Sequence, residues 1–396
     1  MCRKDILTII LCSIFFFITI PVYSSLTFYT VINTSGKIYP NRQLHVDGNK
    51  IKDSANNTFI LRGINQHTFG DYPMGSWQKP DSSIEWNTFN PVTVAANLDA
   101  MKSWGINVVR MYGTSSFWID NTENHRQIVK DLLTLMASRG MYLDYSFWHN
   151  IQGNQQEAPF PSTKISDGKA FAAFWGSIAA DLKDYPNVIF SLWNEPVYLN
   201  MNVDDWFNAV QLAVTAIRAT GAKNLIIIQW CGIGINESYG PDQGYPIAVD
   251  APTAGQDAMW WVAGKPITDP TSNLVYEFHN YRGGIHKFVN HTRVDVWETS
   301  DLSYGYYTCG LIDYVLNTLH KPVICGEIGP NMWQTGTELQ HELDYYNNSL
   351  ALFNTWGISY IGFWWWPTWT YAHLQEGPNY TPNQAGQILI NKIAGR

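Results

Sequence analysis

Short apolar runs recur along this chain at nearly even spacing, each followed by a stretch whose apolar residues repeat at helical intervals. The strand-like runs begin near Phe59, Ile106, Met141, Val188, Leu225, Leu274, Val323 and Ile358. Residues 59 and 358 are separated by seven such steps, a mean interval of about 43 residues, the length of a strand–helix unit. The intervening helices are expected at Val92–Trp104, His125–Arg139, Gly168–Lys183, Val203–Thr220, Thr253–Val262, Tyr307–Leu319 and Glu338–Trp356, with a last one at Asn383–Ala394. Three of the helices end in glycine and restart at once as a strand: Trp104-Gly105-Ile106, Arg139-Gly140-Met141 and Trp356-Gly357-Ile358. Ahead of the repeat, Gln43–Val46 and Asn49–Asp53 read as two short strands joined by an Asp47-Gly48 turn. Such a hairpin would plug the bottom of a larger structure. Eight alternating units favour a closed parallel (β/α)8 barrel, an α/β fold, over a doubly wound open sheet. No Pro/Ser/Thr-rich linker interrupts residues 43–396, which are expected to form a single catalytic domain.

The N-terminal segment breaks the pattern. Arg3 and Lys4 precede an apolar or small-residue run, Ile6–Ile20, which exits through Pro21-Val-Tyr-Ser-Ser25. That arrangement predicts a signal peptide or an uncleaved membrane anchor over residues 1–25, hence a secreted or membrane-tethered protein. Residues 26–42 are polar and turn-rich, a leader or tether. Cys2 and Cys12 lie in the first segment; Cys231, Cys309 and Cys325 remain, enough for one intramolecular bridge and no disulfide framework. Six Asn-x-Ser/Thr sequons (Asn33, Asn56, Asn236, Asn290, Asn347, Asn379) matter only where the host glycosylates secreted chains.

Net charge −8 and the lack of a Lys/Arg block argue against a nucleic-acid partner. The 18 Trp, 22 Tyr and 18 Phe change the picture more, because aromatic faces stack well against the C–H faces of sugar rings.

Candidate chemistry sits where strands stop. The fourth run, Asn187-Val-Ile-Phe-Ser-Leu-Trp193, ends in Asn194-Glu195-Pro196, and the proline cannot continue a hydrogen-bond ladder. The seventh, in Lys321-Pro-Val-Ile-Cys-Gly-Glu-Ile-Gly-Pro330, ends on Glu327 and a Gly-Pro stop. Strands four and seven of a barrel face each other across its mouth, so Glu195 and Glu327 can flank a bond between them. Two carboxyls so placed are what glycoside hydrolysis requires. Each alone could equally be a loop salt bridge. Arg110 closes the second run, His149 and Asn150 the third, His279 and Tyr281 the sixth. A guanidinium beside Glu327 would hold it ionised. Trp148, Trp193, Trp230 and the Phe363-Trp-Trp-Trp366 run fall at the same strand ends and suit sugar platforms. Strand alternation requires at least one of Trp364–Trp366 to face away from the lumen. No His-x-His or His-Glu-x-x-His pattern supports a metal, and no Gly-x-Ser-x-Gly or Gly-x-Gly-x-x-Gly supports a serine hydrolase or a dinucleotide enzyme. No cofactor is expected.

The ordered set Leu61-Arg-Gly-Ile-Asn65, Arg110, His149-Asn150, Asn194-Glu195-Pro196, His279-Asn-Tyr281, Glu327 and a strand-eight Trp resembles glycoside hydrolase family 5, the cellulase family, across residues 43–396. That resemblance implies a retaining (β/α)8 enzyme with Glu195 as acid/base and Glu327 as nucleophile. It implies that Asn194 meets the 2-hydroxyl of the reacting sugar and that Arg110 and Tyr281 position the nucleophile. His149 and His279 would line the same subsite, with Trp364 or Trp365 as its platform. The implied substrate is a β-linked polysaccharide or oligosaccharide, an endo-β-1,4-glucan first. A β-1,4-mannan or another β-glycan is the alternative, and a non-catalytic secreted glycan-binding barrel is the reading from another class.

Overall fold

In the computed structural model, residues 43–66, 76–86, 88–113, 115–147, 168–194, 203–229, 266–281, 286–289, 292–295, 312, 314–367 and 372–396 are described. Eight parallel strands close into a barrel: β3 (Arg62–Gln66), β6 (Val108–Gly113), β7 (Tyr142–Phe147), β8 (Val188–Ser191), β9 (Ile226–Gln229), β10 (Leu274–Asn280), β13 (Val323–Ile328) and β14 (Ser359–Trp365). β14 pairs back onto β3, Ile361 opposite Gly63, which shuts the ring. All eight begin within three residues of the positions the apolar runs mark. The helical periodicity also holds, with α1 at Pro91–Ser103, α3 at His125–Ala137, α4 at Lys169–Leu182, α5 at Val203–Ala219, α6 at Gly336–Trp356 and α7 at Gln384–Ile393; α2 at Ser115–Asp120 is a helix the sequence reading did not anticipate. The expected helix Thr253–Val262 lies outside the described residues. Of Tyr307–Leu319, the structure describes a π-helical turn at Tyr314–Thr318.

Local chemistry sets these boundaries. Asn90 opens α1 by accepting the Val92 N–H at 3.0 Å, with Pro91 at the first helical position. Asn383 does the same for α7 through the Gly386 N–H at 2.9 Å. Gly105, Gly140 and Gly357 stand at φ +87°, +73° and +68°, the left-handed turn that lets each helix stop and the next strand begin.

The N-terminal hairpin is present, and it plugs the barrel. β1 (His45–Asp47) pairs antiparallel with β2 (Lys50–Lys52), Asp47 opposite Lys50, so the two turn residues are Gly48-Asn49, one place later than the sequence suggested. Leu44 and Ile51 pack onto Leu61, Val108, Tyr142, Ile189, Ile227, Val275, Ile324 and Ile361 at the amino ends of the strands. The Val46 N–H donates to Asn273 Oδ1 at 2.7 Å, and Asn49 Nδ2 donates to the Leu316 carbonyl at 3.0 Å. The second hairpin, β4 (Trp77–Gln78) with β5 (Ile84–Glu85), sits in the connection between β3 and α1. A third, β11 (His286–Val289) with β12 (Thr292–Asp295), follows β10.

Three apolar assemblies result. The largest fills the space between barrel and helices, and a second forms the floor of the lumen. A third, Phe363, Trp364, Trp366 and Ala372 with Ile84 and Tyr281 against it, lies at the carboxyl end of β14. Among the described residues, no helix is long and apolar enough to cross a membrane.

Candidate active site

Above the apolar floor the lumen turns polar. Arg110, Asp144, Ser146, Ser191, Glu277 and His279 are all buried there, between the floor and the mouth. Arg110 does not close its strand: β6 continues to Gly113, and Tyr112, two residues on, shares the face of Arg110. The same two-residue step puts Glu277 below His279 on β10. Arg110 therefore meets a carboxylate inside the barrel, its Nη1 bonded to Glu277 Oε1. Gly326 on β13 is required here, because a Cβ at that position would overlap both the Glu277 carboxylate and Arg110 Nη1.

Glu327 stands at the top of this column. The pairing of β13 with β14 shifts register between Cys325 and Ile328, and His279 lies directly opposite Glu327 across the β10–β13 pair. Its carboxylate accepts from two phenols, Tyr112 OH at 2.5 Å to Oε1 and Tyr281 OH at 2.7 Å to Oε2. His279 Nδ1 is 3.5 Å from Oε2 and Arg110 Nη1 is 4.0 Å from Oε1. The Tyr112 oxygen also lies 2.7 Å from Asn65 Oδ1, and Asn65 is fixed by donating to the Gly326 and Gly362 carbonyls at 3.1 and 3.3 Å. One phenolic proton cannot serve two acceptors, and the charged one is the stronger. Burial and the neighbouring Glu327 charge push the Tyr112 phenol well above the ordinary tyrosine range, so it stays a donor.

The remaining electrostatics centre on Arg110. Burial opposes its charge, but Glu277, Tyr112, Asp144 and Glu327 together raise its pKa, and it is permanently cationic. Burial would likewise lift the Glu277 carboxyl. Arg110, with His279 Nε2 at 3.1 Å and Ser191 Oγ donating at 3.2 Å, holds it below the usual range instead. Asp144 fares differently: buried, beside Glu277, and 4.0 Å from Arg110 Nε, it is pushed up to about 7. Neither Asp144 oxygen has a hydrogen-bond partner among the described residues. His279 Nε2 lies 3.0 Å from Arg110 Nη1, which can only donate. Nε2 thus faces both Arg110 and the Glu277 carboxylate, while Nδ1 faces Glu327.

Arg110 also reaches the fourth strand. Its Nη2 donates to Asn194 Oδ1 at 3.0 Å and to Ser146 Oγ at 3.1 Å, while the Asn194 N–H donates to the Phe147 carbonyl at 2.8 Å. One guanidinium thus ties the residue preceding Glu195 to the cluster around Glu327. Glu195 itself, with His149 and Asn150, lies outside the described residues, as do Trp148 and Trp230.

Arg110, Asn194, His279, Tyr281 and Glu327 come together at the mouth. Trp365 does not join them. The pairing of β14 with β3 shifts register between Gly362 and Trp365, and Trp365 turns outward under α1. There it packs on Trp104 at 4.8 Å and Tyr380 at 5.8 Å and donates from Nε1 to Asn97 Oδ1 at 2.8 Å. It is a core residue of the barrel–helix layer. Trp193 is corrected in the same way: it is buried and packs on Phe171 of α4 at 5.1 Å. Trp364 stays at the mouth, stacked on Phe363 with centroids 4.6 Å apart, and Phe363 meets the Tyr281 ring edge-on at 6.0 Å. Sequence reading passed over Tyr112, Glu277 and Asp144. The available signal was the two-residue offset of Tyr112 from Arg110 and of Glu277 from His279; Asp144 lies opposite Arg110 across the β6–β7 pair.

A profile described as cellulase (glycosyl hydrolase family 5) matches residues 53–368, which takes in the whole closed barrel. The chain belongs to glycosyl hydrolase family 5. Among curated relatives of this family 5 chain is an endoglucanase of Clostridium saccharobutylicum, 26% identical over 196 residues, 47% of this chain and 36% of that protein. The chain thus spans well under two thirds of that relative's length. Solved structures with the same fold include a cellotetraose complex of an endocellulase from Pyrococcus horikoshii, at TM-score 0.60 and 16% identity, covering 90% of this chain and 99% of the other. A β-mannanase from Streptomyces thermolilacinus, solved with mannohexaose, gives TM-score 0.56 at 20% identity, covering 90% and 96%.

Proposed function

We propose that this chain hydrolyses internal β-1,4 bonds of a glucan by double displacement with retention, with Glu327 as nucleophile and Glu195 as acid/base. The observation that carries the reading is the Glu327 carboxylate at the barrel mouth, which accepts from Tyr112 and Tyr281 beside the Arg110 guanidinium. A nucleophile must be charged and oriented before substrate arrives, and this arrangement does both. Its covalent bond to the sugar would require it to shed negative charge, and the two phenols would follow that change. Glu195, adjoining the Arg110-bound Asn194, would protonate the leaving oxygen and then take a proton from the incoming water. Asn194 Nδ2 would meet the sugar 2-hydroxyl, since Arg110 occupies Oδ1.

Glu327→Gln should abolish turnover of every substrate. Glu195→Gln should spare aryl glycosides with good leaving groups and lose polymer hydrolysis. Equal loss on both substrate classes would reject Glu195 as the acid. A reducing-sugar assay on glucan and mannan panels decides between the glucanase and mannanase readings, and the absence of any product would favour a binding barrel. Residues 1–25 are proposed to direct secretion or to anchor the protein, which mass measurement of the mature N-terminus tests.

A further inference from the structure

Among the described residues Trp86 is one of the few large apolar side chains at the surface, 52% exposed, whereas its aromatic neighbours at the mouth are buried. An exposed indole on its own is unremarkable. This one ends an unbroken aromatic line that starts at Glu327. Tyr281, bonded to the Glu327 carboxylate, meets Phe363 at 6.0 Å, and Phe363 stacks on Trp364 at 4.6 Å. Trp364 meets Trp366 at 6.4 Å, and Trp366 receives Trp86 at 5.7 Å with the rings inclined at 62°. The wall therefore runs from the candidate nucleophile out to solvent.

The exposed end is also held in place. Trp86 follows directly on β5, whose partner β4 is fixed because the Gln78 carbonyl accepts from Asn97 Nδ2 at 2.7 Å and Tyr380 OH at 3.2 Å. Thr88 Oγ1 donates to the Trp86 carbonyl at 3.0 Å, and Asn90, the cap of α1, donates to Glu85 Oε1 at 3.1 Å. Ile84 packs into the mouth cluster beneath. An indole tied down on both sides along the chain loses little freedom when something stacks on it, so the contact costs little entropy.

We propose that Trp86 is a remote sugar platform, on which a pyranose of a β-1,4-linked glycan well removed from the reacting sugar stacks its C–H face. This rests on the hydrolase reading for the site at the other end of the wall and adds a second point of glycan contact. Short substrates that end before Trp86 gain nothing from it, and longer ones gain progressively.

The test is a chain-length series. The kcat/KM of wild type, Trp86→Ala and Trp86→Phe is measured on cellotriose through cellohexaose, and on the manno-oligosaccharide series where wild type prefers it. Trp86→Ala should lose about five- to tenfold on the longest member, the size of one aromatic contact. The loss should shrink steadily with chain length, and Trp86→Phe should recover most of it. Calorimetry of cellohexaose or mannohexaose on Glu327→Gln, with and without Trp86→Ala, should show a similar loss of affinity. An equal loss at every length, or none at the longest, overturns the platform. A wild type that cleaves nothing but binds the hexaose with Trp86-dependent affinity overturns the hydrolase reading and leaves the platform standing. Failure to bind any hexaose overturns both.

Discussion

Tyr112→Phe removes one oxygen from the candidate site and should change one number in a calculable direction. The phenol donates to Glu327 Oε1 at 2.5 Å within a buried environment, a hydrogen bond to the charged form of the acid. Bonds of that type contribute about 1.5–3 kcal/mol. At about 1.4 kcal/mol per pKa unit, their loss should raise the apparent pKa of Glu327 by roughly one to two units. The remaining donors, Tyr281 at 2.7 Å and the Arg110 charge at 4.0 Å, keep the shift from growing further. The nucleophile is active only when ionised, so the acid limb of kcat/KM should move to higher pH by that amount. The assay is a pH profile on an aryl cellobioside, which needs little leaving-group protonation and so reports mainly on the nucleophile. Thermal melting of the same variant establishes that it is folded. An acid limb that stays put or moves down in a folded Tyr112→Phe protein would refute the assignment of Tyr112 as the donor that keeps Glu327 charged.

Glu277→Gln should move the same limb the opposite way, because it deletes a competing negative charge and leaves Arg110 to Glu327; its melting temperature should fall as the buried ion pair is broken. Trp365→Ala should cost about 3–5 kcal/mol in denaturant unfolding, with the chain-length profile of the folded fraction unaltered, since the ring is core filler under α1. Arg218→Met should destabilise by about 3–5 kcal/mol, for Arg218 grips buried Asp269 through bonds of 2.8 and 2.9 Å. Burial would raise the Asp269 pKa, but Arg218 and the Thr271 and Asn273 N–H groups depress it below the ordinary aspartate value. That contribution is present above pH 3.8 and is lost as pH falls through the depressed folded value. Unfolding curves of wild type should therefore weaken below about pH 4 more steeply than those of Arg218→Met.

The sequence disclosed the barrel because short, mostly apolar runs recur at nearly even spacing and three helices stop on a left-handed glycine. It disclosed Glu327 and Asn194 because each interrupts such a run where a proline or glycine ends it. Arg110 was found for a partly wrong reason: it looked terminal, though its strand continues three residues further. Tyr112 and Glu277 were overlooked because a tyrosine or glutamate inside a strand carries no mark of what it faces. That depends on Gly326 leaving room across the lumen, a contact between residues far apart in the chain. The tryptophans after strand eight could not be sorted by alternation, because the register shift between Gly362 and Trp365 breaks the count where it is needed.

The hairpin closes the lower end of the barrel, so among the described residues the polar lumen lies between that plug and the mouth. Leu44 and Ile51 stop the lower end, the apolar floor lies above them, and Arg110, Asp144 and Glu277 are wholly screened from solvent. On the proposed hydrolase reading, a glycan lying across that mouth would separate the cluster from water. Titration of Asp144, which burial pushes up to about 7, would then be that of the free protein and should register in kcat/KM more than in kcat.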